Sequence, residues 1–308
     1  MHHGGADRLP DAVADEIADG TADEHGRRVD EGPEAAHGVP RYWCTRAPIV
    51  SVVAALAISA GDATVLVDPA NGGRVTSLNV RGTEVVSGAA AGLGGFEWGL
   101  YPMVPFAGRI RDGVLRHRGS SHQLPRNAPP HAMHGYAHDA EWRIFDKSES
   151  AIVMRLELAP PWPFRGVVFH TVSVQPWKVR FELSLAARDE MPAQVGWHPW
   201  FARPCEASFE FGAMYERGAD GIPTGRLVKP QVKDIDDCFA DPLADPAVRF
   251  GDDLRVTLHS NCSHWVVFDG REHGICIEPQ SGPPNGPNDS PHLVAAGSEL
   301  RRWFEIRW

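Results

Sequence analysis

Short runs rich in β-branched and aromatic residues recur along this chain, separated by 31 glycines and 26 prolines, and past the first 40 residues nothing repeats with a convincing helical period. That pattern restricts the fold to strands joined by tight turns. Residues 55–59 and 63–68 predict a hairpin across Gly61 and Asp62, and the Asn-Gly-Gly-Arg stretch at 71–74 predicts a second turn leading into a strand at 75–80. Further strands are predicted at 142–145, 151–158, 167–174, 179–185, 207–211, 254–258, 265–268, 274–278 and 302–308. No internal repeat and no central linker divides them, so the expected fold is all-β, one large antiparallel β-sandwich over residues 41–308.

Residues 1–40 are rich in Ala, Asp, Glu, Gly and His and hold few large apolar side chains, so this acidic tail is expected to stay disordered or loosely attached. Over the whole chain the formal net charge is −10, which argues against a nucleic-acid partner, because such binding relies on Lys and Arg neutralising phosphates. A neutral small molecule suits this balance better. The five cysteines, Cys44, Cys205, Cys238, Cys262 and Cys276, are odd in number and contain no Cys-x-x-Cys, which fits a reducing compartment and a cytoplasmic location. The apolar run at 49–60 is too short to span a bilayer and too far from Met1 for an ordinary signal peptide. It reads as mostly strand, and no membrane partner is expected.

Two titratable residues stand directly before a proline: His198 in Gly-Trp-His-Pro-Trp-Phe (196–201) and Glu278 in Ile-Cys-Ile-Glu-Pro-Gln (275–280). Proline biases its predecessor toward extended geometry, which places each group at a strand end or on the loop beyond it. Taken alone, a histidine among aromatics more often packs its ring than performs chemistry. A carboxylate at the end of an apolar strand, by contrast, is costly unless hydrogen-bonded or at work. In Pro-Phe-Ala-Gly-Arg-Ile-Arg-Asp-Gly (105–113), Arg109 and Arg111 alternate with Ile110 and would share one strand face, either in a solvated charge row or donating to a ligand.

The histidines of 131–138 suggest a metal, but Pro129, Pro130 and Gly135 argue against the helix that would bring two ligands together, so no metal is expected there. One of these histidines bonded to a substrate hydroxyl is the better reading. The Asp-rich stretch at 233–239 reads on its own as a turn with solvated side chains. Trp98, Trp197, Trp200 and Trp265 could offer flat apolar faces to a sugar, although core packing is the commoner use of tryptophan. There is no nucleophile elbow, no P-loop and no dinucleotide fingerprint.

In this order, these segments resemble the aldose 1-epimerase (galactose mutarotase-like) family from about residue 55 to residue 308. The stretch at 68–78 is similar to its opening hairpin, 106–113 to its arginine motif, 133–135 to its first histidine motif, 196–201 to its catalytic histidine motif, 235–239 to its aspartate motif and 276–280 to its catalytic glutamate motif. The resemblance implies a β-supersandwich, with Glu278 as general base, His198 as general acid, and Arg109, His134 and Asp236 as sugar-hydroxyl ligands. It implies interconversion of α and β anomers of a sugar without any cofactor, by a protein that is a monomer or homodimer. Trp200 stands where Tyr is common and Gly108 where Asn often precedes the arginine, so the substrate is left open, as is the choice between Asp236 and the adjacent Asp237. The rivals are a hexose-6-phosphate 1-epimerase, for which Arg74, Arg111 and Arg165 could supply a basic pocket, and a non-catalytic carbohydrate-binding or sensing protein.

Overall fold

The computed structural model describes residues 55–90 and 92–308. The acidic tail at 1–40, the expected start of the domain at 41–48, Cys44 and the first six residues of the apolar run at 49–60 lie outside those residues. Pairing begins at the predicted turn, where Leu56–Ala60 runs antiparallel to Ala63–Asp68 with Leu56 opposite Val67. Asp68 then caps a single 3-10 turn, Pro69–Asn71, its carboxylate accepting from the Ala70 and Asn71 amides. The chain reverses at Gly72, whose φ is 82°, and a Cβ there would lie 2.0 Å from the His138 carbonyl oxygen. Glycine is required, and Arg74–Val80 follows.

One long strand, Asp236–Phe250, joins two arms of sheet. Its residues 236–240 pair with His264–Phe268, and from there the order runs through Gly274–Gln280, Gly196–Ala202, Leu100–Met103, Arg74–Val80 and Ala63–Asp68. Its residues 247–250 pair with Leu254–Ser260, and that arm continues through Glu299–Arg307, Lys178–Ala187, Gly166–Gln175 and Ala151–Leu158. Every one of these pairs is antiparallel, as the punctuated pattern predicts.

The arms face each other across one apolar core, because each strand sends alternate residues inward. Val179, Phe181, Leu183 and Leu185 are buried while Lys178, Arg180 and Glu182 face outward. Phe304 of one arm meets Trp197 and Trp265 of the other at ring-centroid distances of 6.1 and 6.4 Å. Each buried side chain of this size contributes about 1.5–3 kcal/mol relative to exposure. Outside the 3-10 turns, the one helix among the described residues is the single turn Gly286–Asp289, and no helix there is long and apolar enough to cross a membrane. Cys205, Cys238, Cys262 and Cys276 are unbridged.

Candidate active site

His198 and Glu278 come together on neighbouring strands, each in mid-strand rather than at the end that the following proline suggested. Gly196–Ala202 runs on through Pro199 and Gly274–Gln280 through Pro279. Neither proline has an N–H for a ladder, so the two strands pair at Gly196 with Gln280 and again at Trp200 with Cys276, and the pairing lapses between. Extending that register sets His198 opposite Glu278. His198 Nε2 lies 3.2 Å from Glu278 Oε1, with the residues 5% and 2% exposed. Gln280 Nε2 donates to Glu278 Oε2 at 3.0 Å.

Arg109 and His134 reach the same place from a small antiparallel pair, Arg109–Ile110 with Ala132–Met133, extended by a bond from the His134 amide to the Gly108 carbonyl. His134 has a φ of 58° and Gly135 one of 67°, and a Cβ on Gly135 would lie 2.1 Å from the Val104 carbonyl oxygen. That glycine turns the His134 ring toward His198, edge to face at 5.0 Å. Asp236 opens its long strand and accepts from Arg109 Nη2 at 3.4 Å, while Asp237 is buried against Arg217 Nε at 3.3 Å. Asp236 is therefore the aspartate that faces the cavity, and the solvated-turn reading of 233–239 does not hold for these two residues.

All five candidates line a cavity of about 290 Å³. Its polar side is His134, His198, Glu278, Gln280, Arg109 and Asp236; its apolar side is Phe96, Met133, Trp200, Val266, Phe268 and Pro284, with Glu97 and Arg271 also on its wall. Glu97 and Arg271 pair with each other at 2.8 Å.

Fold and sequence both match known proteins. The model of the family described as aldose 1-epimerase matches residues 55–307. The chain belongs to the aldose 1-epimerase family. Among solved structures it is similar to a galactose mutarotase-like protein from Clostridium acetobutylicum, with a TM-score of 0.72 and 16% identity over 81% of this chain and 93% of that one. It is similar also to an aldose epimerase homologue from C. elegans (TM-score 0.71, 13% identity, 82% and 98% covered) and to a galactose 1-epimerase from Lactobacillus acidophilus (0.69, 13%, 81% and 92%). No curated protein matches. At such identities the structural likeness shows the fold alone.

In this aldose 1-epimerase family member, burial dominates the electrostatics of the site. It pushes the His198 imidazole down to about 3, helped by the positive charge of Arg74, and pushes the Glu278 carboxyl well above the usual range, helped by Asp236. Burial also holds His134 well below the usual imidazole range, with His198 and Arg109 adding to the effect. The pair thus carries one proton over a wide pH range, resting on Glu278 in the free protein.

Several expectations change. The strand holding Arg109 ends at Ile110, and Arg111 enters a 3-10 turn in which Asp112 has a φ of 53°, so the two arginines do not continue one strand face. Arg111 pairs with Asp220, away from the cavity wall. His131 bonds the Asp112 amide at 3.1 Å and the Asp220 carbonyl at 3.0 Å, and His138 packs on Phe96 beside Asp139. The three histidines of 131–138 do not converge. A different set, His134, His198 and Glu278, places donor atoms within 4.8 Å of one another. Two of those donors already face each other at hydrogen-bond distance, and a spread of 4.8 Å exceeds the spacing set by ligand bonds of about 2.0–2.2 Å.

Of the four tryptophans, Trp200 lines the cavity; Trp197 and Trp265 are core, and Trp98 covers Arg74. Gln280, Phe96 and Tyr101 were not singled out. The signal for Gln280 was present, since residues two apart on a strand share a face and it stands two after Glu278. Tyr101 lies opposite His198 on Leu100–Met103, a strand interrupted by Pro102 and hard to read as one.

Proposed function

We propose that this protein interconverts the α and β anomers of a free aldose, with His198 and Glu278 as its acid/base pair. The observation that carries the reading is their direct 3.2 Å contact on the wall of a cavity large enough for a sugar ring. Both oxygens that exchange protons sit on C1, so two groups in contact can serve them.

Ring opening needs the C1 hydroxyl to lose a proton while the ring oxygen gains one. When the hydroxyl bonds Glu278, the resting proton crosses to His198, which donates it to the ring oxygen as Glu278 takes the hydroxyl proton. The ring C–O bond breaks and the carbonyl forms. Rotation about C1–C2 presents the other carbonyl face, and reversal of both transfers closes the ring and restores the pair. The pair holds one proton throughout, so its net charge never changes, and the ion pair formed when the proton crosses is held at contact distance. Arg109, His134 and Asp236 hold the other hydroxyls, and Trp200 and Phe96 supply apolar faces for ring carbons.

Among the described residues, the cavity wall carries no cation without a carboxylate facing it, which favours a free sugar over a hexose phosphate. Arg74 bonds backbone carbonyls, Arg111 pairs with Asp220 and Arg165 with Asp189. The two guanidiniums on the cavity wall, Arg109 and Arg271, are each faced by a carboxylate. A non-catalytic sugar binder, for its part, has no use for an acid touching a base. Saturation-transfer NMR between anomers, on a panel of free and phosphorylated sugars, tests the assignment. Acceleration of at least one free aldose is expected; acceleration of phosphates alone would favour the hexose-phosphate reading, and binding with no acceleration the sensor.

A further inference from the structure

A buried arginine hydrogen-bonded to carbonyls and to no carboxylate stands behind the acid/base pair. Arg74 is 2% exposed; its guanidinium donates to the Trp98, Gly95 and His138 carbonyls. It is held between two aromatic rings, 4.3 Å from the Trp98 centroid and 4.5 Å from that of Tyr101. Tyr101 in turn stacks on His198 at 4.8 Å with an interplanar angle of 17°. Beyond His198 come Trp200 at 5.5 Å and His273 stacked on Trp200 at 4.8 Å. Six planar groups thus form one column through the imidazole.

The polar atoms of this column are turned sideways. The Tyr101 hydroxyl and the Trp200 indole N–H both donate to the Phe96 carbonyl, at 3.2 and 2.7 Å. Register explains the stack, because His198 lies directly opposite Tyr101 in the ladder. A Cβ on Gly99 would lie 2.8 Å from Arg74 Cδ, so the chain leaves room for this side chain. Burying a cation with no carboxylate at hydrogen-bond distance, and only the longer-range charges of Asp139 and Asp68 to offset it, is expensive, which asks for a return elsewhere.

We propose that Arg74 is a positioning residue for the acid/base reaction: through Tyr101 it fixes the plane of His198, and its charge makes the His198 imidazolium a stronger proton donor to the ring oxygen. The proposal rests on the acid role assigned to His198 above. Brønsted behaviour favours an acid strong enough to protonate a weakly basic ring oxygen, and a positive charge two stacking steps away supplies that bias. The groups facing His198 are Tyr101 on one neighbouring strand, Glu278 on the other, His134 from the histidine loop, and Arg74 and His138 behind. Of these Arg74 is the one permanent cation, and it lowers the imidazole second only to burial. Over such a separation, in a medium of effective dielectric near 20, one charge moves a titration by about one pH unit.

Arg74→Met and Arg74→Lys, each checked by circular dichroism, test this. The His198 imidazole is followed by its nitrogen-15 shifts from pH 1.5 to 8, a readout independent of turnover, alongside kcat and KM for the sugar that the wild type accepts. In Arg74→Met the His198 midpoint should rise by about one pH unit and kcat fall about tenfold. Loss of support for the carbonyls of residues 95 and 98 would show in KM and Tm instead. Arg74→Lys keeps the charge, so its midpoint should stay near the wild-type value, but a compact ammonium cannot cover Tyr101 while reaching three carbonyls, and kcat should fall at least about threefold. A folded Arg74→Met with an unmoved His198 midpoint overturns the proposal. Should that variant not fold, wild-type kcat in Arg74→Lys overturns it equally. Failure of every sugar with the wild type would refute the functional reading while leaving the nitrogen-15 titration free to test the coupling.

Discussion

Glu278→Gln removes the pair's exchangeable proton while sparing the structure around it. The glutamine oxygen can still accept from Gln280 Nε2, now 3.0 Å from Glu278 Oε2, and its amide can donate to His198 Nε2 across the present 3.2 Å contact. Stability should change little. Turnover should not survive, because general acid/base catalysis typically supplies about 10² to 10⁴ in rate; a loss of at least about a hundredfold in kcat/KM corresponds to about 2.7 kcal/mol of transition-state stabilisation. The pH profile adds a sharper test. His198 is pushed down to about 3 and Glu278 well up, so the pair of the free protein holds one proton between those limits. As pH falls through about 3 the imidazole takes a second proton and kcat/KM drops; as pH rises through the raised carboxyl value the last proton leaves and kcat/KM drops again. In His198→Asn the acid limb should vanish and the alkaline limb persist, and in Glu278→Gln the alkaline limb should vanish. Anomer exchange measured by saturation-transfer NMR, with the uncatalysed rate subtracted at each pH, gives all three profiles. A folded Glu278→Gln with near-wild-type exchange, or with its alkaline limb unmoved, would refute the assignment.

Exhaustive chelation should leave mutarotation unchanged, since the reaction proposed is run by a carboxyl and an imidazole; loss with rescue by zinc would show that His134, His198 and Glu278 act as ligands. Asp236→Asn, which frees Arg109 from its ion pair, should raise KM by about tenfold and change kcat only a few-fold, as expected for a hydrogen bond to a charged group worth about 1.5–3 kcal/mol; a large kcat loss with KM unmoved would place Asp236 in the chemistry instead. Glu305 is 1% exposed on the outer face of its strand; burial would raise its carboxyl, but bonds from Lys178, Arg180 and Arg307 outweigh that and hold it at about 2. A depressed folded value stabilises the protein above the ordinary carboxyl range of about 4.3 and ceases to do so as pH falls through about 2. Glu305→Gln should therefore cost about 3 kcal/mol at neutral pH, with a gap to the wild type in urea melts that narrows below about pH 4.5, and a constant gap would discount the charge.

Where a strand is built from apolar and β-branched residues facing the core, its residues announced it. The 179–185 run became Lys178–Ala187 and 167–174 became Gly166–Gln175, each lengthened only by end residues that pair without contributing to the apolar pattern. The element that joins the two arms was not legible. Asp236–Phe250 holds Asp241, Pro242, Asp245 and Pro246, residues that composition assigns to turns, and its partner Glu206–Arg217 was read only at 207–211. The register between them shifts twice, near Ser208 and Phe211, and Asp241 has a φ of 57°. Bulges absorb the turn-forming residues and let the strand continue, which no period-2 count detects.

The site divides in the same way. Residue type and order singled out Arg109, His134, His198, Asp236 and Glu278, because prolines, glycines and charged groups in apolar runs are visible locally. What the sequence left unseen is cross-strand: Tyr101 is opposite His198 only once the register of Leu100–Met103 is known, and Arg74 reaches the pair only through Tyr101. The two prolines illustrate both halves. Read locally, Pro199 and Pro279 mark strand ends; in the sheet each strand continues, and what ends is the pairing between them. The gap has a chemical consequence. Each backbone stays in register with its outer neighbour, His198 opposite Tyr101 and Glu278 opposite Val266, while the lapse between the two inner edges leaves the side chains to be set against each other by Tyr101 and Trp200 on His198 and by Gln280 on Glu278. Precision at this site therefore rests on neighbours two residues away or one strand across, and substitutions at Tyr101 and Gln280 should perturb the chemistry without touching either titrating group.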